Sequence, residues 1–211
     1  MFYKQIKYFQ FLLKSSNQHG VHSPFVYQLI TQCLYKKKDK NLWKTFLNLK
    51  NNQLEILKKK NLKGNKNNIL SHKKVGILLK IINYFQPENN LEISNSADLS
   101  VVSIAMNASN LKSTTVNESK ELLSEIQSDK KFDCIYFHQN QITLYNFNVC
   151  LKAIHNNTFF IFNDPHNNQE TRTTWSSIKK HSKVTVSVDV FYFGIVFFRK
   201  EQAKEHFKIR V

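Results

Sequence analysis

The sequence predicts an α/β protein: a mostly parallel sheet that closes with an antiparallel C-terminal edge hairpin, preceded by helices at the N-terminus. Three observations carry that reading. From Val75 onward, short apolar runs alternate with amphipathic stretches, the pattern of strands joined by crossover helices. FDCIYF and NTFFIFND are apolar almost throughout rather than alternating, as strands buried on both faces are. The chain closes on VTVSVDVFYF and GIVFFRK, two β-branched and aromatic runs that pair as a hairpin.

Taken in order, residues 2–14 place Phe2, Ile6, Phe9 and Leu13 at helical spacing, with Lys4, Lys7 and Lys14 between them. Tyr3, Tyr8, Phe11 and Leu12 widen the stripe. The segment predicts a basic amphipathic helix that docks its apolar face on the protein's own domain, a membrane surface or a partner groove being the alternatives. SNQHGVHSPF is a loop, and Ser23-Pro24 starts a second helix over residues 25–35. Residues 36–74 are the most lysine-rich stretch, with 13 of the 28 lysines, and carry a short helix around Trp43, Phe46 and Leu47 and an exposed loop from Lys58 to Asn68. VGILLKIINYF is a helix stopped by Pro87. The order that follows is strand NLEIS, helix DLSVVSIAMNAS, strand STTV, helix ESKELLSEIQ, strand FDCIYF, helix LYNFNVCLKAIH, strand NTFFIFND and helix QETRTTWSSIKKHS, then the hairpin. The expected organisation is an N-terminal helical extension with a basic loop (1–74) and an α/β domain (75–211).

Lys plus Arg is 31 against 15 Asp plus Glu, a net charge of +16, which favours polyanionic partners: RNA, a ribosome or an acidic surface. The lysines are not interleaved with a nucleic-acid motif, so a solvated surface accounts for them equally well. Cys33, Cys134 and Cys150 are odd in number and lack a CxxC spacing, which argues for reduced core thiols rather than disulfides or zinc. No apolar run approaches a membrane span, and MFYKQIKYFQFLLKSS lacks the uninterrupted apolar core of a leader, so a cytoplasmic protein is expected. His19, His22 and Ser23 in QHGVHSPF lack a third ligand in sequence reach and are expected to pack and cap the loop. His155 and His166 flank the NTFFIFND strand; each is expected to be a surface histidine, the alternative being a shared cleft. Cys134 lies inside a buried strand, where a thiol behaves as a small hydrophobe.

Residues 91–106, LEISNSADLSVVSIAM, form a strand, a small-polar turn and a helix, the corner at which α/β proteins bind nucleotides. With the preceding KIINYFQPENN, the opening FLLKSSNQHGVHSPFVYQL and the closing VTVSVDVFYFGIVFFRKEQAKEHFKIRV, this layout resembles a bacterial subgroup of small class I S-adenosylmethionine-dependent methyltransferases. About half of the chain carries the resemblance. It implies a Rossmann-like methyltransferase fold and places the cofactor on Glu92, Ser94, Asn95, Ser96, Asp98, Asn117 and Glu118.

The departures fall at those positions. The family loop runs roughly Leu-Glu-Leu-Gly-Thr-Ser-x-Gly, whereas Ser94 and Asp98 stand here at the two glycines that let the backbone approach the ligand. Asp98 would also repel the carboxylate end of the methionine moiety. The ribose-binding acid is replaced by Asn117, with Glu118 one residue late. NESKELLSEIQSDKK, between Val116 and FDCIYF, has room for one helix and not for the family's further strand. His138, Asn163 and Asp164 stand where metal-dependent O-methyltransferases of this type carry acids and an Asn around a divalent cation, and they are the only candidates for catalysis. The expectation is a catalytically impaired pseudoenzyme with vestigial cofactor positions, no cofactor and no metal. It would act as a basic binding protein, offering residues 36–74 and the N-terminal helix to RNA, a ribosome or a protein complex. The alternatives are an active enzyme that uses S-adenosylmethionine on an oxygen or nitrogen acceptor, and an RNA- or ribosome-binding protein without chemistry.

Overall fold

The structure, a computed structural model, describes residues 2–59, 70–94, 100–117, 119–127 and 129–211. Four helices precede the sheet: α1 (Phe2–Lys14), α2 (Pro24–Leu29), α3 (Lys40–Lys59) and α4 (His72–Phe85). There follow β1 (Asn90–Ile93), α5 (Val101–Ala108), β2 (Thr114–Val116), α6 (Ser119–Gln127), β3 (Cys134–Phe137), α7 (Leu144–Cys150), β4 (Phe159–Asn163), α8 (Gln169–Lys180), β5 (Val186–Asp189), β6 (Phe193–Phe197) and β7 (Glu205–Lys208).

Helix limits follow local chemistry. Ser23 caps α2 and Pro24 takes its first turn; the helix then widens through a π-helical stretch, Ile30–Leu34. Ser71 accepts from the Lys74 amide at the start of α4, which ends on Gln86 in the left-handed region just before Pro87. Asn168 and Thr171 form a reciprocal capping box on α8. The helix around Trp43 is longer than expected: α3 runs 20 residues and includes Lys58 and Lys59. The rest of the predicted Lys58–Asn68 loop lies outside the described residues, Lys60 to Asn68 being among those left out.

The seven strands are ordered β2-β1-β3-β4-β6-β5-β7. The β1–β2, β1–β3, β3–β4 and β5–β7 pairs are parallel, and β6 is antiparallel to both β4 and β5. The expected parallel sheet and C-terminal hairpin are present. β7 extends the hairpin side of the sheet by a further parallel strand, where the sequence predicts only a tail. At the other side the sheet ends on β2, and the described residues between β2 and β3 form the single helix α6.

Alternate strand residues feed two cores. Cys134, Tyr136, Phe159 and Ile161 pack with α2, α3, α4 and α5; Ile135, Phe137, Phe160 and Phe162 pack with α6, α7 and α8. Every residue of β1, β3, β4, β5 and β6 is buried, which is why β3, β4 and β6 read as near-continuous apolar runs. The N-terminal segment joins the opposite terminus: Ser16 bridges Ile209, with the Ser16 amide donating to the Lys208 carbonyl at 2.9 Å. Among the described residues, no helix is long and apolar enough to cross a membrane.

α1 docks on the domain as expected, but by the flank of its apolar stripe rather than its centre. Tyr8 and Phe11 pack on Phe191 with ring centroids 4.8 and 5.5 Å apart, while Ile6, Phe9 and Leu13 face solvent.

Gly194 tests the second core. A Cβ there would lie 2.7 to 2.9 Å from three atoms of the Trp175 indole, which is wedged between α8 and β6. Gly194→Ala is expected to destabilise the fold by about 2 kcal/mol through overpacking, read as a lower urea midpoint at unchanged slope.

Candidate functional site

Polar side chains collect where β1, β3 and β4 end, on the side covered by α4 and α5. The alternation of the strands puts them there: Glu92, Tyr136 and Asn163 each project to the face opposite Ile93, Phe137 and Phe162. The residues form two clusters rather than one.

The first surrounds Glu92, which is fully buried. Its Oε1 contacts His138 Nε2 at 2.6 Å. Its Oε2 accepts from Ser103 Oγ at 2.9 Å and Thr115 Oγ1 at 3.4 Å, and from Ser100 Oγ. Ser100 is also the N-cap of α5, so one hydroxyl ties the helix start to the β1 carboxylate. A buried carboxylate demands such donors, and here β1, β2, β3 and α5 all supply or hold one.

The second cluster surrounds Asp164, which lies just past β4 with φ 55°, in the left-handed region. Lys74 Nζ, from the first turn of α4, donates to Asn163 Oδ1 at 3.0 Å and to Asp164 Oδ2. Lys4 Nζ, from α1, reaches Asp164 Oδ1 at 2.8 Å. Burial pulls the Lys74 ammonium below the usual lysine range, and the Asp164 carboxylate opposes that shift by favouring the charged form. Between the clusters stands Tyr136, wholly buried, whose hydroxyl has no partner among the described residues. Burial pushes its phenol well above the ordinary range, and the Glu92 and Asp164 carboxylates add to the shift. It is therefore a neutral donor between two carboxylates.

The three catalytic candidates thus separate. Asn163 and Asp164 are brought together, on Lys74, while His138 turns to Glu92. The residues do not fit a divalent cation at β4. The donors that would hold it already bind an ammonium, and no cluster of three His, Cys, Asp or Glu with metal-binding geometry occurs among the described residues. Lys74 went unnoticed in the sequence because it sits in SHKK, among lysines that are mostly solvated.

The expected cofactor positions divide as well. Glu92 serves the network above. Ser94 is buried, and its amide donates to the Val116 carbonyl at 2.9 Å, which extends the β1–β2 ladder. The Asn117 amide donates to Glu121 Oε2 at 2.7 Å, and Asn117 Oδ1 is buried without a partner among the described residues. An orphan acceptor at the end of β2 fits a ribose hydroxyl, so this position is compatible with the cofactor that the fold implies. Asn95, Ser96, Asp98 and Glu118 lie outside the described residues.

The remaining candidates carry no chemistry. Ser23 caps α2, and His19 and His22 are exposed. His155 and His166 share no cleft: His155 Nε2 meets Asp133 at 2.8 Å, and His166 Nε2 meets Asp189 at 2.8 and 3.0 Å. Both are therefore engaged with acids rather than being lone surface groups. Burial would raise the Asp189 carboxyl, but donors from His166, the Phe191 amide and Trp175 outweigh it and hold the group below its usual range. All three cysteines are buried and unpaired, and burial pushes each thiol up, Cys33 to about 12, which leaves them unreactive.

No protein-family model matches the chain, and no curated protein matches it. Solved structures do. The SAH-bound methyltransferase PaMTH1 of Podospora anserina is similar at TM-score 0.51 and 9% identity, over 85% of this chain and 97% of that one. An O-methyltransferase from Bacillus cereus in complex with SAH gives TM-score 0.47 and 16% identity, over 82% and 97%. The O-methyltransferase TomG of Streptomyces achromogenes, solved with SAM, gives 0.47 and 13%, over 82% and 95%. At these identities the likeness is one of fold: the chain has the Rossmann-like fold of class I S-adenosylmethionine-dependent methyltransferases, in a distant form.

Lys74→Met is expected to cost about 3 kcal/mol at neutral pH, because it leaves the buried Asp164 with Lys4 alone. The pH dependence has a definite sign. With its pKa lowered in the native state, Lys74 releases its proton before the unfolded chain does, so unfolding takes up a proton between the lowered value and the ordinary lysine value of about 10.4. Wild-type stability contains a contribution that rises with pH across that window, and urea titrations of Lys74→Met should lack it.

Proposed function

We propose that this methyltransferase-fold protein works by binding rather than by metal-assisted methyl transfer: a pseudoenzyme with a basic surface for RNA, a ribosome or another polyanionic complex. The observation that supports this reading is the Lys74 ammonium lodged on Asn163 and Asp164. The resemblance puts a divalent cation beside those residues to orient an acceptor hydroxyl, and a fixed organic cation there offers no open coordination position. On the binding side, Lys36, Lys37, Lys38, Lys40, Lys44, Lys58 and Lys59 are all exposed. The first three, with Lys80, line a cleft of about 600 Å³ between the end of α2 and helices α3 and α4.

A second reading, an active S-adenosylmethionine-dependent methyltransferase, is favoured by the unpartnered Asn117 Oδ1. In that case Asn117 would accept from a ribose hydroxyl, and the Glu92 network would hold the β1 end and the start of α5 in place beside it. The bound cofactor would supply the methyl group. Such transfer rests largely on apposition of donor and acceptor, so the absence of metal does not exclude it. SAH is bound in the similar structure PaMTH1.

Calorimetric titration with S-adenosylhomocysteine separates the two, because the product needs no knowledge of the acceptor. The binding reading expects no heat and no rise in melting temperature at millimolar ligand. Micromolar binding, weakened by Asn117→Ala, would overturn it in favour of the enzyme.

A further inference from the structure

The orientation of α1 is inverted for a helix of a soluble domain. At 100° per residue, Lys4, Tyr8 and Phe11 share an arc of about 60° that faces the body of the protein, and Ile6, Phe9 and Leu13 share a similar arc on the opposite side. Those three are 54%, 63% and 72% exposed, so the most apolar stripe of the helix is turned to solvent along its whole length. The inward cation is fixed by Asp164 and the inward rings by Phe191, which means the stripe cannot roll inward without breaking both contacts.

Beside the stripe lies a shallow basin of about 50 Å³ lined by Lys7, Lys14, Arg172, Lys208 and His166. The cations come from three elements, α1, α8 and β7. Among the described residues, none of the four Lys and Arg side chains forms an ion pair with a carboxylate. The adjacent acids, Asp164 and Asp189, are already held by Lys4 and Lys74 and by His166. An apolar ridge running along an uncompensated cationic basin is complementary to one kind of surface, in which acyl chains lie directly beneath a layer of phosphates.

We propose that α1 docks this protein on the surface of an anionic phospholipid bilayer, with Ile6, Phe9 and Leu13 entering the acyl boundary and the Lys7–Lys14–Arg172–Lys208 basin holding lipid phosphates. Helix α1 lies in the plane of the membrane and does not span it. The inference is independent of whether the cofactor binds, so an S-adenosylhomocysteine titration of either outcome leaves it standing.

The test is co-sedimentation of the full chain with vesicles of phosphatidylcholine alone and with about 30% phosphatidylglycerol. The expected result is binding to the anionic vesicles only. Ile6→Ser/Phe9→Ser/Leu13→Ser should reduce it at least about tenfold, because both apolar burial and charge are needed. Lys7→Gln/Lys14→Gln should reduce it about fivefold per cation removed, and inorganic phosphate at millimolar concentration should not compete. Of the five positions, Ile6, Phe9, Leu13 and Lys14 are exposed and Lys7 contacts Gln10 and Tyr3 of its own helix, and unchanged melting temperatures confirm that each variant is folded. Undiminished sedimentation of the triple serine variant would overturn the proposal in favour of adhesion by charge alone, as for RNA. A wild-type dimer in gel filtration that the same variant abolishes would overturn it in favour of a second copy as the occupant of the stripe.

Discussion

One buried carboxylate organises the top of this fold. Asp164 follows β4 in a left-handed conformation, and an ionised acid at that depth has to be matched by cations. It receives two, Lys74 from α4 and Lys4 from α1, elements that approach the sheet from different parts of the chain. Because α1 must turn Lys4 inward, it turns Ile6, Phe9 and Leu13 outward, and the unusual face of the helix is a consequence of electrostatics at the end of β4. The turn between β5 and β6 completes the seat: Phe191 stacks on His166 at 5.2 Å and receives Tyr8 and Phe11. The Ser16–Ile209 bridge then fixes the far end of the same segment.

Glu92 shows the other way of burying a carboxylate. Among the described residues it is paired with a histidine and three hydroxyls rather than with an ammonium. Side chains from β2, the start of α5 and the residue after β3 make that network a clasp on the β1–α5 corner, whereas the Asp164 cluster is a clasp on helices outside the sheet. Tyr136 stands between the two acids, and its hydroxyl has no partner among the described residues. A buried water or a small polar ligand bridging the clusters would satisfy it.

The central strands were legible in the sequence because burial on both faces leaves them almost wholly apolar: CIYF and FFIFN are buried at every position, and Asn163 is the one strongly polar residue in them. Helix α4 announced itself through its apolar period and the proline after it. Three things were hidden. Helix α3 buries only Phe46 and Leu57 fully, so its length depends on Lys- and Asn-rich turns whose sequence resembles a loop. Strand β7 is only partly buried, and EHFK carries neither a turn signal nor a buried run. The role of Lys74 depends on a tertiary pairing 90 residues away, and no local pattern distinguishes it from its solvated neighbour Lys73. The resemblance pointed to the strand ends at Glu92, His138, Asn163 and Asp164, which the structure shows in two polar clusters, but their partners come from helices and hydroxyls with no motif of their own.

The two borders of the sheet are built differently. At β2 the sheet ends, with one helix among the described residues leading back to β3; beyond β5 lies β7, and the segment after α1 is zipped to the tail that follows it. Lys208 reaches the basin beside α1 from β7, and Arg172 reaches it from α8. Both ends of the described chain therefore converge on the β5–β7 border, where α1, α8 and β7 bring their cations to one basin.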